Sequence, residues 1–234
     1  MVIKDQVWEY ATLFLPVNIV SGDYRVYFFA ILVPRLTGGG SSHRLRRAWR
    51  MQTPRFQLLQ GWQEATALSR AEVADADLCA ALTHTGSLTR FLEGRYGHPV
   101  DVTVRQQVTA PLAKAPLSAL WDKTLALQAH TLLIRDAWVN HAGPMLVYAH
   151  SQIDWDHLDQ AERVAIRNGQ IPLGGLYLAN GAQVNRAHLQ ISRVTVAGLE
   201  RVGEAPLWCR RSLFTVDGRP NARILELFVP VDHG

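Results

Sequence analysis

The sequence predicts an α+β fold, a single antiparallel sheet of about five to six strands with helices packed on one side. Three observations predict it. Strand-like runs follow one another with turn signals between them, and so read as hairpin neighbours. Helical segments lie before and between these runs without alternating regularly with them, which argues against a doubly wound parallel sheet. Finally, 234 residues with 48% hydrophobic content suffice for one good core, so one domain plus an appendage is expected rather than two domains.

The clearest hairpin lies near the end of the chain, within 207–230. Leu213, Phe214 and Val216 form one arm; Ile224, Leu225, Leu227, Phe228 and Val229 form the other. Between them Asp217-Gly218 supplies the positive φ of a tight turn. Pro220 is expected to stay out of the ladder, which puts the turn at 217–221. Earlier in the chain, Val100, Val102 and Val104 alternate with Asp101, Thr103 and Arg105 as in a half-buried strand. Two further strands, 131–139 and 145–152, flank a turn at 140–144, and 190–196 is another.

The helices are placed by their caps. Ser69-x-x-Glu72 reads as a capping box opening a helix that runs to about Thr83. Ser87 caps a second, 88–93, stopped by Gly94, Gly97 and Pro99. The spacing of Leu117, Leu120 and Trp121 suggests helix over 117–127. Asp156 is expected to cap a helix over 157–167, ended by Asn168-Gly169. In 171–177 the glycines predict a tight turn whose backbone N–H groups point at a ligand.

Charge excludes some functions. The net charge is +4, but residues 1–55 hold eight Lys and Arg against three Asp and Glu, and the remainder holds 16 against 17. The basicity therefore belongs to the N-terminal segment, and nucleic acid is not an expected partner of the main domain. Apolar clusters within 1–36 are broken by Pro16, Asp23 and Arg25 and are too short to span a bilayer. Residues 1–50 are expected to be a poorly ordered extension, an upstream-start artefact, with the folded domain over 51–234. Cys79 and Cys209 make no disulfide framework and match a reducing cytoplasm. No metal-ligand spacing occurs among the nine histidines.

Three residues stand out chemically. Arg210 and Arg211 are adjacent, so within a strand they point to opposite faces and one of them is a candidate to face inward. Glu226 interrupts an apolar run, where a carboxylate needs a partner or a purpose. Spacing alone leaves two readings of it open: a solvent-facing position or ion pair with an Arg, or a functional carboxylate.

Several segments in order carry a resemblance. They are Gly86-Ser87-Leu88-Thr89, Leu133-Ile134-Arg135-Asp136, Pro172-Leu173-Gly174, Trp208-x-Arg210-Arg211-Ser212 and 225–230, Leu-Glu-Leu-Phe-Val-Pro. Over roughly 61–230 the chain resembles the chorismate pyruvate-lyase (4-hydroxybenzoate synthase) family. The resemblance implies a lyase that converts chorismate to 4-hydroxybenzoate and pyruvate, the first committed step of ubiquinone biosynthesis. It implies a cytoplasmic monomer with a buried small-molecule ligand and no metal or organic cofactor. It also implies substrate-binding and catalytic roles for Arg135 and Glu226, with Arg135 and the backbone N–H groups of Leu88 and Leu173 on the ligand carboxylate and Glu226 on its hydroxyl. For Leu88 and Leu173 the alternative is plain core packing; for Arg135 it is an ion pair with Asp136 or another neighbour.

The chain departs from the family pattern at His150, which stands where an Arg is usual; Arg186, Arg210 and Arg211 are candidates to compensate. The same fold also serves as a ligand-sensing domain in transcription regulators, so a non-catalytic small-molecule-binding domain is the alternative. No capped helix-turn-helix precedes the domain here, which disfavours it.

Overall fold

The computed structural model describes residues 10–12, 32–34, 54–112, 120–143, 145–168, 172–179 and 181–231. The expected extension over 1–50 lies mostly outside these residues. Within it two short strands, β1 (Tyr10–Thr12) and β2 (Leu32–Pro34), pair antiparallel.

The main sheet is antiparallel throughout. Its six long strands are β5 (Asp101–Pro111), β6 (Thr131–Asn140), β7 (Met145–Asp154), β8 (Val184–Ala197), β9 (Leu207–Val216) and β10 (Arg219–Pro230). Two short strands, β3 (Arg55–Leu58) and β4 (Gln63–Glu64), both pair with β8. The spatial order is β3-β8-β9-β10-β7-β6-β5. Eight strands therefore replace the expected five to six. The surplus is β3 and β4, four and two residues long, too short for alternation to reveal them.

Alternation divides the long strands between two faces. On one face Leu133, Val139, Val147, Ile153, Phe214, Ile224 and Phe228 meet residues from all four helices: α1 (Ala76–Thr83), α2 (Leu88–Tyr96), α3 (Gln160–Arg167) and α4 (Leu173–Ala179). On the other, Leu132, Trp138, Tyr148, Leu213, Leu225, Leu227 and Val229 pack with Phe56 and with Leu120, Trp121, Leu125 and Leu127. The helices do lie on one side.

The opposite face also carries a buried polar chain. Arg223 Nε and Nη2 donate to Gln152 Oε1 at 2.9 and 2.6 Å. The Gln152 amide nitrogen is then left to donate to His150 Nε2, 3.3 Å away. His150 Nδ1 in turn donates to Asp136 Oδ1 at 2.6 Å. Gln106 supplies Asp136 with a second donor. The pairing expected between Arg135 and Asp136 is thus not what engages Asp136: neighbours in a strand point to opposite faces.

Several boundaries differ from the sequence reading. The Ser69 N–H and Oγ do meet Glu72, both at 2.9 Å, but they close an isolated turn. α1 begins at Ala76, capped by Asp75, whose carboxylate accepts from the N–H groups of Asp77 and Leu78. α2 starts after its Ser87 cap as expected but runs through Gly94 to a left-handed Gly97. α3 starts at Gln160 under an Asp159–Glu162 capping box; Asp156 instead accepts from the His130 and Thr131 N–H groups. The segment expected as a glycine turn is helical as α4. Within the described part of 117–127 only Lys123–Leu125 is helical, as a single 3-10 turn.

The final hairpin turns on two residues, Asp217 (φ 49°) and Gly218 (φ 76°). Pro220 already lies in β10, opposite Thr215, because a bulge between Pro220 and Ala222 leaves the ladder irregular there. Asp75→Ala should cost about 1 kcal/mol in urea unfolding, the value of a lost N-cap. Ser69→Ala should stay within about 0.5 kcal/mol, and the reverse ranking would show that α1 starts at the earlier box.

Candidate active site

The sheet face beneath the helices is not filled everywhere. A partly enclosed pocket opens there, about 570 Å³ of empty space that includes the open solvent at its mouth. Its floor follows the ladder. Arg135 on β6 stands opposite Ser151 on β7, which stands opposite Ile224 on β10. One step along, Ala137, Ala149, Glu226 and Arg210 line up across β6, β7, β10 and β9. Arg135 and Glu226 are thus two strands apart, about 10 Å laterally from strand spacing, and both line the pocket.

Two helix starts complete the wall. Ser87, Leu88 and Thr89 come from the beginning of α2; Pro172, Leu173 and Gly174 come from the beginning of α4. First-turn N–H groups have no intrahelical acceptor and are available to an anionic or polar ligand. The two starts touch: a Cβ on Gly174 would sit 2.8 Å from Ser87 Oγ, so glycine is what lets α4 begin against the α2 cap. Leu88 is buried in one core cluster and Leu173 is half-buried against another; the polar atoms that these two can offer a ligand are those of the backbone.

Glu226 is buried, 4% exposed, and neither solvent-facing nor alone. Arg186 Nη2 donates to its Oε1 at 2.6 Å, and Arg210 Nε to its Oε2 at 2.5 Å. Burial works to raise the Glu226 pKa; the two guanidiniums outweigh it and hold the carboxyl below its ordinary range. The arginines are anchored in turn. Arg210 Nη1 donates to the Ala81 carbonyl and, at 2.9 Å, to that of His84. Arg186 Nε donates to the Gly86 carbonyl at 3.2 Å and Nη1 to Ser212 Oγ at 2.9 Å. The ion triad therefore ties β8, β9 and β10 to the segment joining α1 and α2. Arg135 is also buried, 4% exposed, and burial pushes its pKa down.

The structure gathers Arg135, Glu226, Leu88 and Leu173 around one cavity. His150 is elsewhere, on the opposite face in the polar chain described above. Arg211 is on that face too, bonded to the Leu120 carbonyl, Gln190 and Asp122. Both members of the Arg210-Arg211 pair prove buried, not one. Of the three candidate compensating arginines only Arg186 reaches the pocket wall. Thr89, Ser151 and Phe214 also line it without having been singled out; period-two alternation from Arg135, Glu226 and their partners was the signal that could have found the strand residues. Among the described residues no group of three His, Cys, Asp or Glu side chains could hold a metal ion.

A family model described as "Chorismate pyruvate-lyase Rv2949c-like" matches residues 82–233, a span that contains the whole pocket. The chain belongs to this family. Curated relatives agree. A probable chorismate pyruvate-lyase of Nitrosomonas europaea is 30% identical over 166 residues, 67% of this chain and 89% of that protein. One from Nitrosospira multiformis is 29% identical over 64% of this chain and 84% of its own. Another, from Thiobacillus denitrificans, is 29% identical over 74% and 90%.

The triad fixes a pH response. The folded Glu226 pKa lies below the ordinary 4.5, so its contribution is complete above pH 4.5 and is lost as pH falls through the folded value. Glu226→Gln leaves two buried guanidiniums without their anion and should lower stability at pH 7 by up to about 3–5 kcal/mol. It should also flatten the acid limb of a stability-against-pH curve. An acid limb unchanged by the substitution would mean that the triad does not govern acid stability.

Proposed function

We propose that this protein is a chorismate pyruvate-lyase that converts chorismate to 4-hydroxybenzoate and pyruvate. The observation that carries the reading is one cavity with a guanidinium, Arg135, on one side and a carboxylate, Glu226, two strands away, flanked by two helix starts. Such a pocket suits a ring with an acid at one end and a hydroxyl at the other. The Arg135 fork matches the ring carboxylate, helped by the backbone N–H groups of Leu88 and Leu173. Glu226 accepts a hydrogen bond from the hydroxyl.

The chemistry asks little of the protein beyond this. The enolpyruvyl ether lies on the carbon beside the one that bears the hydroxyl. When the C–O bond to the ring breaks and the hydroxyl-bearing carbon gives up its hydrogen, the ring becomes aromatic, which makes the reaction strongly downhill. In one route that hydrogen passes directly to the enolpyruvyl methylene through a six-membered array, giving pyruvate at once. In the other a base removes it, and the departing enolpyruvate takes up a proton to become pyruvate. Glu226 gripped by two guanidiniums is a weak base but a fixed acceptor, which favours the role of orienting the hydroxyl. The protein's contribution is then to hold the reactive conformer away from water.

We further propose that the product feeds ubiquinone biosynthesis and that the protein acts on this small molecule as a cytoplasmic monomer. Among the described residues no helix is long and apolar enough to cross a membrane.

Purified protein mixed with chorismate should generate the ultraviolet absorbance of 4-hydroxybenzoate, with pyruvate released in equal amount. Arg135→Ala should raise KM by about tenfold or more, the cost of a charge-assisted hydrogen bond. Glu226→Gln should lower kcat with a smaller change in KM. Near wild-type kinetics in both variants would remove these two residues from the site.

A further inference from the structure

α4 is seven residues long, and two of them, Gly174 and Gly175, are poor helix formers. A helix this short is not stable by itself, so the contacts it makes decide where it sits. Its position matters because its first residues, Leu173 and Gly174, stand with Pro172 in the pocket wall.

Most of what holds α4 is apolar. Leu173, Leu176, Tyr177 and Leu178 join the cluster of Leu133, Phe214 and Ile224, and such burial has no preferred direction. One contact does. Tyr177 Oη donates to Asn221 Oδ1 at 3.0 Å, and both residues are buried. Asn221 is the residue left over by the β10 bulge: Pro220 stands opposite Thr215 and Ala222 opposite Phe214. Outside the ladder, its side chain is released from the strand's alternation, and re-aiming a side chain is a recurrent use of bulges beside functional sites. Tyr177 lies one helical turn after Leu173. Its ring also meets Phe214, another wall residue, at 6.0 Å between centroids. Fixing the phenol therefore fixes two parts of the wall, although neither Tyr177 nor Asn221 lines the pocket.

We propose that Asn221 and Tyr177 are positioning residues, a latch between the β10 bulge and α4 that sets how far the backbone of Leu173 reaches toward the ligand's ring carboxylate. The inference rests on the lyase reading, in which Leu173 shares that carboxylate with Arg135. The ring carboxylate is unchanged by the reaction, so a contact to it holds substrate and transition state alike. Loosening the latch then raises KM and leaves kcat in place.

Kinetics and amide exchange test this together. Tyr177→Phe removes the hydroxyl alone and keeps the ring against Phe214. It should raise KM for chorismate about three- to tenfold, the worth of one hydrogen bond. Its kcat should stay within about twofold of the wild type. Asn221→Ala should behave in the same way, and the double variant should add nothing further, because both changes break one bond. Asp75→Ala, which weakens the α1 cap instead, should leave KM unchanged; an equal rise there would show general loosening and overturn the proposal. Hydrogen exchange read by mass spectrometry should quicken in α4 of both single variants while α2 keeps its protection. Unchanged α4 exchange, or additive effects on KM in the double variant, also overturns the proposal. If the wild type forms no 4-hydroxybenzoate from chorismate but α4 exchange quickens in both variants, the lyase reading fails and the latch on α4 stands. If chorismate is turned over and KM responds to neither change, the positioning role alone is misassigned.

Discussion

The charge cluster Arg186–Glu226–Arg210 is the constraint on which the rest of this molecule depends. Burying three charged groups in a sheet is costly unless their geometry and remaining hydrogen bonds are satisfied. That requirement dictates much of what surrounds them. Arg210 needs the carbonyls at the end of α1, and Arg186 needs the carbonyl of Gly86 and the hydroxyl of Ser212. The polypeptide between α1 and α2 is therefore pinned to β8, β9 and β10 through side chains. The helix start that follows, Ser87-Leu88-Thr89, is delivered to the pocket wall as a result. A site built this way is organised before ligand binds, which is what the proposed lyase reaction would ask of it.

The two faces of the sheet solve the same problem differently. On the pocket face, charge is concentrated, with Arg135, Arg186 and Glu226 all lining the cavity. On the other face, buried polar groups are bonded in a line from Arg223 through Gln152 and His150 to Asp136. That line fixes the imidazole in one tautomer, because Gln152 spends its carbonyl on Arg223. Adjacent residues of β6, Arg135 and Asp136, thus belong to separate networks on opposite sides of the sheet. His150 belongs to the packing of the second face, so its difference from the family pattern bears on how that face is satisfied and leaves the pocket wall intact.

How much of this was legible in the sequence follows from the range of the forces involved. The six long strands, the sidedness of the helices and the Ser87 cap are local patterns of period and capping, and they could be read. β3 and β4 could not, since six residues in all carry no period and are strands only because β8 is there to pair with. The start of α1 was misplaced because Ser69 and Glu72 do bond as a capping box does, yet the chain turns away before a second turn of helix forms. α4 was read as a turn because Gly174 and Gly175 lower helix propensity; Gly174 is instead needed for close approach to Ser87, a tertiary reason that no local rule contains.

The site was legible in part for the same reason. Resemblance pointed to Arg135, Glu226, Leu88 and Leu173, and alternation explains why Arg135 and Glu226 can share a face. What the sequence left open was which arginine accompanies them, because Arg186, Arg210 and Arg211 differ only in where strand register puts them. Register settles it physically. Arg211 is one residue from Arg210 and so on the wrong face; Arg210 is directly opposite Glu226 on the neighbouring strand and is covered by α1. Arg186 approaches diagonally from β8 across Ser212, and that longer path is what brings a guanidinium to the open side of the carboxylate.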